Sequence, residues 1–79
     1  MIRVKILAMN TFDFLQKTPK EIEKQIAKRI RDIRKRRKIS QKKLSEISGV
    51  SLGSLKRFEQ CGEIAFLSLI KIAIALELG

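Results

Sequence analysis

Apolar residues recur at helical spacing over most of the chain. Ile22, Ile26, Ile30 and Ile33 fall three or four apart and span about 80° of arc. That spacing predicts an amphipathic helix with one buried face. Thr18 as N-cap, Pro19 at the first helical position and Glu21 three after the cap supply its start. The helix should run to about Arg37, with Lys38, Ile39 and Ser40 as the connection and Ile39 turned inward. Two short segments follow. Leu44 and Ile47 are three apart, as are Leu55 and Phe58, so each segment carries one narrow apolar stripe. Ser40 and Ser51 are good N-caps for two short helices. Gly49 sits between them, where a left-handed residue would turn the chain sharply. The two stripes and Val50 are expected to close a corner of core, which makes the pair a helix-turn-helix.

Gln60, Cys61 and Gly62 should end the second short helix, with Gly62 as its terminal glycine. A last helix is expected over residues 65 to 78, apolar nearly all round. Leu69, Ile72, Ala73 and Leu76 form one stripe; Phe66, Ile70 and Ile74 form a second. A three-helix core cannot hide both. The second stripe therefore packs under Phe12 and Phe14 or meets another subunit. Upstream, residues 2 to 6 alternate apolar and basic, a strand pattern with no partner in the chain. They are read as weakly ordered, as a strand that pairs with its copy in a second subunit, or as a leader before a start at Met9. Residues 11 to 17 suit one or two helical turns. The expected class is all-α: a small bundle over residues 18 to 79, preceded by an extension over residues 1 to 17 with a possible short strand.

Charge changes the picture. There are 18 Lys and Arg against 8 Asp and Glu, a net +10, and residues 28 to 43 hold ten of the basic residues with one acid, Asp32. So uneven a charge is a footprint for a polyanion rather than a coating for solubility. Other chemistry is thinly supplied. The chain has no histidine and a single cysteine, Cys61. No internal disulfide or metal cluster can be built, which fits a reducing cytoplasm. No nucleophile, base and oxyanion donors assemble, so the expectation is a non-enzyme without cofactor or metal. The apolar run near the end is too short for a membrane span. The few aromatics argue against single-stranded RNA.

Spacing sorts the second short helix into faces. Leu55, Phe58 and Glu59 cluster on one side. Gly53, Lys56 and Arg57 point the other way, with Leu52 and Ser54 on the flanks. Such a face suits a DNA major groove. Base contacts are therefore expected from Leu52, Gly53, Ser54 and Arg57, with Arg57 as the main reader of a guanine. Contacts to the DNA backbone are expected from Gln41, Lys42 and Lys43 at a helix N-terminus, joined by Arg36, Arg37 and Lys56.

The stretch resembles the phage-repressor helix-turn-helix of the Cro/repressor-like (XRE-type) family. Gln41, Leu44, Gly49, Val50, Ser51, Leu55 and Glu59 match at the family's spacing. Ile30, Ile33, Arg34 and Ile39 extend the match backward, and Leu69, Ala73 and Leu76 extend it forward. Ser45 stands where the family usually has alanine, Gly62 lies one residue later than usual, and the family's fifth helix has no room here. The resemblance implies a structural ion pair between Arg34 and Glu59. It also implies a transcriptional regulator that binds double-stranded DNA. We expect a repressor on a near-palindromic operator, acting as a homodimer through Phe66, Ile70 and Ile74. The segment around Arg57 is weakly similar to HipB-type regulators. The alternative is thus an antitoxin that binds a HipA-like toxin kinase and autoregulates its operon.

Overall fold

The computed structural model describes residues 17–78, the side chain of Leu78 excepted. The expected strand over residues 2 to 6, the helical turns before Lys17, and Phe12 and Phe14 lie outside them. Four helices make up the described part: α1 (Pro19–Arg36), α2 (Gln41–Ser48), α3 (Leu52–Cys61) and α4 (Phe66–Leu78). The described part is all-α, with no strand among its residues.

Local signals explain the starts. The Thr18 hydroxyl accepts from the Glu21 N–H at 3.1 Å, and the Glu21 carboxylate accepts from the Thr18 N–H at 2.8 Å, so two donors without helical acceptors are satisfied reciprocally. That same hydrogen bonding holds the Glu21 carboxyl below its ordinary pKa. Ser40 caps α2 through the Lys43 N–H, and Ser51 caps α3 through the Ser54 N–H. Gly49 (φ 78°) and Gly62 (φ 83°) end α2 and α3 in the left-handed region. The end of α1 has no such glycine. Lys38 takes the left-handed turn itself (φ 56°), a conformation that costs about 1 kcal/mol or more for a residue with a Cβ.

α1 packs on α3, α2 packs on both α3 and α4, and α1 touches α4. All four helices and the α2–α3 turn feed one core: Ala27, Ile30, Leu44, Val50, Leu55, Phe58, Ile72, Ala75 and Leu76. Ile26, Ile33, Ile39, Ile64 and Leu69 pack around its rim.

Three expectations about faces are corrected. On α1 the fully buried line is Ala27, Ile30 and Arg34; of the four expected isoleucines only Ile30 is in it, while Ile26 and Ile33 pack at the core's rim and Ile22 is half-buried. The small Ala27 suits close packing, and Arg34 is tolerated in the line because a carboxylate meets it there. Ile47 is 44 % exposed, not part of the core. It sits about 60° around α2 from the fully buried Leu44, and an eight-residue helix offers the core one central position. On α4, Ala75 is buried while Ala73 is half-buried, so the inward line runs through Ile72, Ala75 and Leu76.

Candidate nucleic-acid interface

The α2–α3 unit is held by polar contacts its own sequence supplies. The Gly49 N–H donates to the Ser45 carbonyl at 3.0 Å. The Ser45 hydroxyl donates to the Val50 carbonyl at 2.6 Å, and the Val50 N–H donates to the Ser48 hydroxyl at 3.2 Å. Both backbone polar groups of buried Val50 are thereby satisfied. Ser45, where the family this stretch resembles usually has alanine, therefore closes the turn.

A second set of contacts fixes α3 against α1. Arg34 donates from Nε and Nη2 to the two oxygens of Glu59, at 2.8 and 3.1 Å. Its Nη1 donates to the Ile39 carbonyl at 2.8 Å, so one guanidinium ties α1, the α1–α2 connection and α3 together. The pair is nearly dry: the side chains are 10 % and 4 % exposed. The Gln41 amide completes it, donating to Glu59 Oε1 at 2.9 Å. This qualifies the role expected for Gln41. Its amide is engaged with Glu59, so an outward role falls to its backbone N–H and that of Lys42, the first two positions of α2.

With α3 fixed, one of its faces is left outward. Gly53, Ser54, Lys56 and Arg57 are exposed, and Leu52 is half-buried. Gly53 stands in open space, with nothing near where a Cβ would be. The Ser54 hydroxyl accepts from that of Ser51 at 2.9 Å. The side chain of Arg57 is 68 % exposed and is engaged by Glu63, whose Oε1 accepts from Nε at 3.1 Å and Nη2 at 2.6 Å. Glu63 Oε2 accepts from Lys20 Nζ at 3.2 Å. The hydrogen bonds from Arg57 and then Lys20 hold the Glu63 carboxyl below its ordinary range, and the hydrogen bond to Glu63 raises both cations.

Basic residues also cluster at the α1–α2 junction. Arg36 and Arg37 end α1, Lys38 turns the chain, and Lys42 and Lys43 open α2; all five are exposed. An open cleft of about 460 Å³ lies alongside, lined by Arg31, Arg34, Lys35, Gln41, Glu59 and Gln60. Arg31 and Lys35 were not expected there. Their signal was the four-residue spacing on the turns that flank Arg34. Glu63 was missed too, because α3 ends between it and Arg57 and no periodicity links them.

Phe66, Ile70 and Ile74, expected to meet a second subunit, are 77 %, 38 % and 51 % exposed, and Leu67 beside them is 62 % exposed. Among the described residues no His, Cys, Asp and Glu group could hold a metal ion. No described helix is long and apolar enough to cross a membrane.

A family model described as helix-turn-helix matches residues 30–79, more than half of the chain. No curated protein and no solved structure matches it.

Proposed function

The chain belongs to the Cro/repressor-like helix-turn-helix family of DNA-binding regulators, and from that premise we propose that it is a transcriptional repressor that holds a near-palindromic operator as a homodimer. The observation that carries this reading is the outward face of α3, small at Gly53 and Ser54 and cationic at Lys56 and Arg57, on a chain whose α1–α2 junction exposes five further basic residues. α3 enters the major groove. Leu52, Gly53, Ser54 and Arg57 meet base edges, with Arg57 on a guanine. Arg36, Arg37, Lys42, Lys43, Lys56 and the N-terminus of α2 meet phosphates, and Arg31 and Lys35 extend that track along the cleft. One such helix covers a few base pairs, so discrimination requires two copies with half-sites about one turn, ~34 Å, apart. The exposed Phe66, Ile70 and Ile74 supply the contact between copies.

Selection of bound duplexes from a random-sequence library tests the reading. The expected product is one enriched motif with two-fold symmetry. Recovery of unenriched sequence at low salt would mean that the charge binds DNA without reading it.

A further inference from the structure

The Glu63 carboxylate has no place among the DNA contacts proposed for α3. An acid beside a surface meant for phosphates lowers affinity by repulsion, and yet both of its oxygens are engaged by cations. Oε1 takes Nε and Nη2 of Arg57, and Oε2 takes Lys20 from the start of α1. We propose that Glu63 is a positioning residue for Arg57, one that makes it a base reader rather than a phosphate anchor; this rests on the DNA-reading role proposed above for α3.

The geometry supports this in three ways. First, the hydrogen bonds leave part of the guanidinium available. Glu63 takes the Nε–H and one hydrogen of Nη2. Both hydrogens of Nη1 and the second of Nη2 remain, the end-on fork that can bond guanine O6 and N7 together. Second, Glu63 is itself anchored. It follows Gly62, which is buried and left-handed, and a Cβ at Gly62 would lie 3.0 Å from the backbone of Glu23 on α1. The backbone leading into Glu63 is thus pressed against α1, and Lys20, one turn before Glu23, grips the other oxygen. Third, the carboxylate discriminates by charge. A phosphate that approached the same guanidinium would meet a neighbouring negative charge, whereas the neutral acceptors of a guanine edge would not. An arginine already held in one arrangement also loses less freedom on binding.

The test uses the full chain and the duplex recovered from the library selection, with a panel of its single-base variants and one scrambled duplex. Arg57→Ala, Glu63→Ala, Glu63→Gln and Arg57→Ala/Glu63→Ala are compared with the parent, and circular dichroism checks that each folds. We expect Glu63→Ala to reduce discrimination at the position read by Arg57 by roughly tenfold, while binding to the scrambled duplex holds or tightens. Glu63→Gln keeps an acceptor without the charge and should fall between. In the Arg57→Ala background, loss of Glu63 should change preference no further. If Arg57→Ala collapses preference at one position and Glu63→Ala leaves it intact, Glu63 is not a positioning residue, although the base-reading role stands. If Glu63→Ala tightens all duplexes evenly, the carboxylate merely repels DNA and the proposal falls. If Arg57→Ala itself weakens all duplexes evenly, Arg57 is a backbone anchor and both readings fall.

Discussion

Glu59 is the residue on which the placement of α3 turns. A carboxylate 4 % exposed is tolerated because Arg34 and Gln41 surround it with donors. Removing one partner of such a pair strands a buried charge, which costs about 3–5 kcal/mol against a total stability of about 5–15 kcal/mol. Arg34→Ala is therefore expected to take the fold close to its limit, read as a fall in the midpoint of a urea titration. Joint replacement of Arg34 and Glu59 by Met and Leu should recover most of the loss, since two apolar groups leave no charge behind. If the double variant is no more stable than Arg34→Ala, the pair contributes more than mutual neutralisation. Gln41→Ala should cost only about 1 kcal/mol, because Glu59 Oε1 keeps the Arg34 Nη2 contact.

At the scale of elements, the ends carry the design. Ser45 spans the α2–α3 turn to the Val50 carbonyl, and Ser45→Ala should lower stability by about 1 kcal/mol, or about 4–8 °C in Tm for a domain of this size. Glu21 and Glu63 brace the starts of α1 and of the segment that leads into α4. Both carboxyls have lowered folded pKa values. The unfolded chain therefore binds more protons at mildly acid pH. Their contribution is present above the ordinary carboxylate value and is lost as pH falls through the lowered folded values. Thermal melts between about pH 6 and about pH 3 should show that loss, and Glu21→Gln/Glu63→Gln should flatten it. The helix boundaries were legible in the sequence because their causes are local: a Thr-Pro-x-Glu start, two serine caps, and two glycines. The Arg34–Glu59 contact was legible through a family resemblance. What failed to show was whatever docking decides. Ile47 and Ala27 have the same helical spacing whichever way α1 and α2 turn, and only packing against α3 and α4 selects the face. Lys38 was hidden for a different reason: a lysine gives no sign that it will take a glycine's conformation.

At the scale of the molecule, the fold exposes both basic residues and an apolar stripe, and each gives a separate test. Each phosphate neutralised adds about 0.9 to the slope of log K against log salt. Lys43→Ala should reduce that slope by about one unit and weaken all sequences alike, as fluorescence anisotropy at several salt concentrations would record. A change confined to sequence preference would remove Lys43 from the phosphate contacts. Ile70→Glu should leave the fold intact, because Ile70 is 38 % exposed, and should yield monomers by light scattering at micromolar concentration. Persistent dimers would remove the α4 stripe from the interface. Gly53 lies on the outward face of α3, and a Cβ there would meet no neighbour in the protein. An alanine can be installed without repacking and should strengthen the helix, by less than the ~1 kcal/mol of a helix interior because Gly53 lies in the first turn. Stability thus gives no reason for a glycine at this position. On the DNA-reading role proposed for α3, the same openness lets a single substitution at Gly53 change what the helix offers a base edge, with the scaffold beneath it unchanged.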